Sequence, residues 1–81
     1  MTQRIVFEFL QRPCCDPENW ARIVEIISDA DGSHISEPKG DPPYALTAVL
    51  PDESSAREVV ALLRLTDGVG RADLDAMRRV L

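Results

Sequence analysis

Two adjacent cysteines are the residues of this chain best suited to chemistry. Cys14 and Cys15 follow Arg12 and Pro13 and precede Asp16, in a stretch that predicts a loop leading into a helix. A helix N-terminus lowers the pKa of a nearby thiol and so raises its reactivity. Adjacent cysteines are nevertheless expected to point apart, and two of them do not complete a tetrahedral metal site. The sequence therefore favours two reduced loop cysteines, with neither metal nor cofactor, over a thiol-dependent metal or redox module.

The other candidate groups do not assemble a catalytic set. His34 is the only histidine, and its place at the start of a short strand predicts a solvated side chain. The serines lack a neighbouring base or a nucleophile-elbow pattern. Short acidic side chains at turns and helix ends usually serve the backbone, and five aspartates have such positions: Asp29, Asp31, Asp41, Asp52 and Asp67. The sequence predicts that the protein is not an enzyme.

Length and composition predict one small globular domain over residues 1–81. Hydrophobic residues make up 44% of the chain and charged residues 28%, which is ordinary for a folded domain. No apolar run approaches the length of a membrane span and no signal-peptide stretch is present, so a cytoplasmic location without membrane contact is expected. The formal charge of −5 argues against nucleic acid as a partner.

The first half of the chain predicts a strand and a helix. Arg4 to Leu10 alternates in the manner of a strand. Asp16 can cap a helix that starts at Pro17, runs over residues 17–30 and closes at Gly32 in the left-handed conformation. Helical spacing places one apolar stripe toward a core: Trp20, Ile23, Val24 and Ile27.

The middle of the chain predicts a β-hairpin and a second helix. Ser33 to Glu37 is a strand candidate, Lys39 to Pro43 is rich in turn formers, and Tyr44 to Leu50 alternates as the partner strand. A helix follows from Asp52 or Ser54, with Ser55 and Glu58 at capping-box spacing as a variant start, and Gly68 as its stop. The expected buried stripe of this helix is Ala56, Val59, Val60 and Leu63.

The C-terminal segment is ambiguous between strand and helix. Its residue types favour a helix, yet Ala72, Leu74 and Ala76 alternate, and a last strand over about 71–80 would cover the open edge of the first strand. With that strand the fold class is α+β, a ferredoxin-like βαββαβ sandwich. It has a four-stranded antiparallel sheet of order 4-1-3-2 with two helices on one face.

Two stretches carry a resemblance to a known family. Arg12-Pro13 stands before the helix core of residues 21–27, and the leucine-rich residues 62–65 lead through Asp67-Gly68-Val69 into the last strand. In element order and at these stretches the chain resembles an ACT domain over nearly its whole length. The resemblance implies a regulatory module that pairs with a copy of itself and binds an amino acid or similar effector.

The resemblance implies that the effector lies where the loop of Gln11 to Asn19 meets the partner subunit. The ligand-binding residues expected from it are Arg12, Pro13, Cys14, Cys15 and Asp16. One departure is present, because ACT domains commonly follow Arg-Pro with a glycine, whereas this chain has Cys14 there. A domain that binds only protein, without any ligand, is the further alternative.

The predicted sheet has an outer face that suits association. Residues expected to face the helices are Ile5, Phe7, Phe9, Leu46, Ala48 and Leu74. The opposite face would present Val6, Leu10, Ala45 and Val49 among Glu8, Thr47 and Asp75. An apolar centre of this kind often marks an interface, so a homodimer through the sheet face or an edge strand is expected.

Overall fold

Three strands and two helices make up the computed structural model, which describes residues 2–75. In chain order they are β1 (Gln3–Phe9), α1 (Pro17–Asp29), β2 (Tyr44–Leu50), α2 (Glu53–Arg64) and β3 (Val69–Leu74). Residues 76–81, which include the end of the strand predicted over 71–80, lie outside the described residues. Neither described helix has the length and apolar character needed to cross a membrane.

The strands form one antiparallel sheet with β1 in its centre. The order is β2-β1-β3, and Phe7 of β1 lies opposite Leu46 on one side and Ala72 on the other. The β1–β3 register shifts between Phe7 and Phe9, so β3 carries a bulge there. The fold is therefore α+β, with three antiparallel strands where the sequence predicted four.

The predicted strand over residues 33–37 is wrong, although its segment does lie beside β2. Ser33 and Val49 exchange two backbone hydrogen bonds of 2.8 and 2.9 Å, and the Ser36 N–H donates to the Thr47 carbonyl at 2.9 Å. The Thr47 N–H, however, donates to the Ser36 hydroxyl instead of a carbonyl. His34 between these contacts has φ 55°, a left-handed value that breaks an extended ladder.

The core lies between the sheet and the two helices. β1 and β2 alternate as predicted, with every second residue buried. The α2 stripe is fully confirmed, while in α1 only Ile23 and Ile27 are buried and Trp20 packs half-buried against the cluster. Leu74 also packs against it. One cluster contains the buried side chains of both helices and of the strands, so both helices lie on the same face of the sheet.

The helix ends differ from the sequence prediction in two details. At the end of α1 the left-handed residue is Asp31, with φ 61°. Gly32 is needed for space instead, because a Cβ there would lie 2.5 Å from Cγ2 of Ile27. The second helix ends at Arg64, well before Gly68, whose φ of 89° serves the turn into β3.

Candidate functional site

The loop between β1 and α1 is closed by hydrogen bonds to its own backbone. The N–H groups of Cys15 and Asp16 both donate to the carbonyl of Arg12, at 2.8 and 3.1 Å. Pro13 is half-buried inside the turn, whereas Arg12 and both cysteines are exposed. The structure thus brings the five predicted site residues into one compact turn at the start of α1.

Arg12 faces an acidic residue from a different loop. Its guanidinium lies 3.6 Å from the carboxylate of Asp41, and the two side chains are 56% and 90% exposed. At that exposure an ion pair contributes about 0–1 kcal/mol. The pair therefore contributes little to stability, and its two opposite charges are easily separated. Sequence reasoning missed Asp41 as a site residue because its partner is distant in the chain.

Asp16 is the N-cap residue of α1, but its side chain does not cap the helix. Its carboxylate accepts a hydrogen bond of 2.9 Å from the side-chain amide of Asn19, so the predicted capping bond is wrong. A Cβ at Gly68 would lie 3.2 Å from this carboxylate, which shows how closely the turn before β3 packs against it. The first-turn N–H groups of Glu18 and Asn19 consequently receive no side-chain cap from Asp16.

The two cysteine side chains approach each other, contrary to the prediction that they point apart. Their Sγ atoms are 3.9 Å apart, and both thiols are free and exposed. The hydrogen bond with Cys14, and the negative charge of Cys14 when it is ionised, raise the pKa of Cys15 above its ordinary value, and Arg12 opposes this only in part. Cys14 thus opposes the lowering of the Cys15 pKa that the sequence suggested for a thiol at a helix start.

His34 has no part in the cysteine loop's hydrogen bonding. Its Nδ1 lies 2.8 Å from the hydroxyl of Ser33, next to the bridge with β2, and the side chain is exposed as predicted. Within residues 2–75, no three side chains of histidine, cysteine, aspartate or glutamate are grouped so as to hold a metal ion.

A shallow depression lies beside the loop, between α1 and α2. It has a volume of about 430 Å³, and its wall includes Asn19, Arg22, Glu25, Leu62 and Asp67. Asn19 connects it to the loop through the bond to Asp16. The sequence could have predicted these residues, because a spacing of three puts Asp16, Asn19 and Arg22 on one face of the helix.

The outer face of the sheet is open in the described chain. Val6, Thr47 and Val49 are half-buried on it, and Ala45 is exposed. A depression of about 360 Å³ on this face is lined in part by Val6, Glu8, Ala45, Arg71 and Asp73. The predicted apolar centre is therefore present, with charges of both signs around it.

Together these features define a small α+β domain with a polar, thiol-containing turn at one helix start. Comparison of the chain with models of protein families, with curated proteins and with solved structures found no match in any of the three.

Proposed function

We propose that this chain is a small regulatory domain that binds an amino acid or a similar effector at the loop of Arg12 to Asp16. The observation that carries the proposal is the Arg12–Asp41 pair, two opposite charges 3.6 Å apart on an exposed surface. A free amino acid carries the same two charges, so its carboxylate would bind Arg12 and its ammonium group Asp41. Arginine is well suited to this because its guanidinium binds a carboxylate through two hydrogen bonds.

The cost of opening this pair is small. An exposed ion pair contributes about 0–1 kcal/mol, whereas a hydrogen bond to a charged group contributes about 1.5–3 kcal/mol. The neighbouring helix start adds donors, because Asp16 makes no side-chain cap and α1 has its positive dipole end there. An effector carboxylate would therefore displace Asp41 at small cost and gain from the donors of the helix start.

We also propose that this fold is ACT-like, with the segment of residues 33–37 in the position of the strand that is not formed, and that it pairs with a second copy. The three observed strands are the predicted third, first and fourth, in the predicted neighbour order. Ser33 and Ser36 bond to the outer edge of β2, where the remaining strand would lie. Arg12 and Asp41 are too exposed to enclose a ligand, and a second copy would supply the missing wall.

The proposal is tested by titrating the twenty amino acids into the purified chain and following backbone amide signals by NMR, with sedimentation to follow dimerisation. We expect one amino acid to shift the signals of the Arg12–Asp16 loop and to favour the dimer. The Arg12→Ala variant should bind at least about tenfold more weakly, since a charge-assisted hydrogen bond is lost.

Arg57→Ala is the matched control, because Arg57 is similarly exposed and pairs with Glu53 on α2. It should bind the effector as the wild type does. Arg22→Ala tests the depression between the helices and should also retain binding. Loss of binding in Arg22→Ala with retention in Arg12→Ala would move the site to the depression, and no binding of any amino acid would contradict the proposal.

A further inference from the structure

The two sulfur atoms of the turn are placed as a chelating pair. With a metal–sulfur bond of about 2.3 Å, the Sγ separation of 3.9 Å between Cys14 and Cys15 corresponds to an angle of roughly 115° at a shared ion. A linear arrangement would need sulfurs about 4.6 Å apart, and a disulfide needs about 2.05 Å. The observed separation thus suits two thiolates on one trigonal or tetrahedral centre.

We propose that Cys14 and Cys15 form a two-thiolate site for one soft ion of low coordination number, of the class of monovalent copper or trivalent arsenic. Binding of monovalent copper forms two copper–sulfur bonds, and each thiol releases its proton to solvent. Arsenous acid exchanges two arsenic–oxygen bonds for two arsenic–sulfur bonds, and the two thiol protons leave with the two hydroxyl groups as water. No electron is transferred in either case. Water or a small thiol supplies the third ligand where the ion takes one. This site does not depend on the proposed effector.

The choice of ion follows from the ligands that the turn offers. Thiolates select soft ions, and structural zinc requires four ligands. The part of the chain that the structure describes contains no group of three or more histidine, cysteine, aspartate or glutamate side chains that could hold a metal. An ion that accepts three or fewer ligands therefore fits better than zinc.

The turn itself holds the pair in position. Hydrogen bonds of 2.8 and 3.1 Å from the Cys15 and Asp16 N–H groups to the Arg12 carbonyl fix the backbone on either side of the second thiol. Both thiols are exposed, so an ion can reach them without any movement of the core. Such a pre-ordered pair gains from effective concentration, because the second sulfur binds intramolecularly.

The first experiment uses phenylarsine oxide, which reports two close thiols. Its arsenic–oxygen bond breaks, two arsenic–sulfur bonds form, and the two thiol protons leave with the oxygen as water. Intact-protein mass spectrometry should show one phenylarsenic group per chain. In parallel, an oxygen-free titration with monovalent copper against a coloured chelator should show one copper per chain.

Cys14→Ser and Cys15→Ser should each weaken the binding of copper and of phenylarsine oxide at least about a hundredfold, because the chelate is lost. Circular dichroism should show an unchanged fold, since both side chains are exposed. His34→Ala, which removes the only histidine, is the matched control and should bind as the wild type does. Arg12→Ala should also retain copper, because the guanidinium is not a ligand of the ion, so the variant distinguishes copper binding by the thiols from effector binding by Arg12.

Two results would overturn the inference. One is single serine variants that bind copper and phenylarsine oxide as tightly as the wild type, which would show that the two sulfurs do not act together. The other is zinc bound more tightly than copper, with one ion per two chains, which would replace the low-coordination site with a four-thiolate site shared between copies.

Discussion

The two helices of this domain begin in opposite ways. The β2–α2 connection consists of residues 51 and 52 alone, and the Asp52 carboxylate accepts a 2.7 Å hydrogen bond from the Ser55 N–H. The β1–α1 connection spans residues 10–16, and Asp16 at the same structural position bonds to a side chain instead of a backbone N–H. The start of α2 is therefore capped by its own aspartate side chain, whereas the start of α1 is not.

The far end of α2 strengthens the contrast. The Arg64 guanidinium donates to the Ala72 carbonyl at 2.9 Å and to Asp73 at 3.2 Å, which ties the helix to β3. At the start of α1 the corresponding polar groups, the thiols and Arg12, lie exposed. The polar groups of α2 thus tie that helix to β3, whereas at the start of α1 Arg12 pairs with an exposed loop residue, Asp41, and both thiols are free.

The largest expected effect comes from removing the packing on which α1 depends. Phe9 is fully buried and its ring centroid lies 5.3 Å from that of Trp20. Because no side-chain cap holds this helix start, Phe9→Ala should lower the free energy of unfolding by about 3–5 kcal/mol, measured by urea denaturation. That loss is comparable to the whole stability of a small domain.

Leu10→Ala is the matched control for this prediction. Leu10 is the next residue and is 45% exposed, so its removal should change the free energy of unfolding by no more than about 0.5 kcal/mol. An equal loss of unfolding free energy in Phe9→Ala and Leu10→Ala would show that the buried Phe9 side chain does not support the uncapped start of α1.

Most of the regular structure was predictable because local patterns and core burial agree. The alternation of β1 and β2 and the apolar stripe of α2 each match the buried residues. The wrong strand prediction over residues 33–37 shows where alternation is not enough to predict a strand. The left-handed φ of 55° at His34 and the hydroxyl of Ser36 used as an acceptor are outcomes of tertiary competition for hydrogen bonds, which alternation does not encode.

The turn that contains the five predicted residues was predictable as a loop before α1, and its contacts were not. The five predicted residues do form one turn, since chain neighbours must lie together. The partners came from elsewhere, as Asp41 reaches Arg12 from the loop before β2 and Gly68 packs against Asp16 from the turn before β3. The approach of the two sulfurs depends on side-chain rotamers within the turn, which sequence spacing does not specify.

The packing of Gly68 against the uncapped loop gives a smaller, more local prediction. Gly68 and Gly40 both have left-handed backbones, with φ of 89° and 82°. Only at Gly68 would a Cβ meet neighbours, 3.1 Å from Phe9 Cε1 and 3.2 Å from Asp16 Oδ2; at Gly40 nothing lies within 4 Å.

Gly40→Ala should therefore cost about 1–2 kcal/mol through backbone strain alone, and Gly68→Ala about 1 kcal/mol more through overpacking. Urea denaturation measures both. Only Gly68→Ala should move the NMR signals of the Asn19 side-chain amide, which bonds to Asp16. Equal costs and an unmoved amide would mean that Gly68 does not support the loop.

The smallest effect tests the two helix starts against each other. The backbone hydrogen bond from Ser55 holds the pKa of Asp52 below its usual value near 3.8, so the charged form stabilises the fold above that pH. This stabilisation is lost as the pH falls through the lowered pKa of Asp52 in the folded state.

Asp52→Ala should lower the melting temperature by a few degrees at neutral pH, and by less in strong acid. Asp16→Ala should leave it within about one degree of the wild type, because its carboxylate bonds to the side-chain amide of Asn19 and not to the backbone N–H groups of α1. A drop in Asp16→Ala as large as that in Asp52→Ala, and equally dependent on pH, would show that Asp16 caps α1 in solution and that its first-turn N–H groups are not free for an effector.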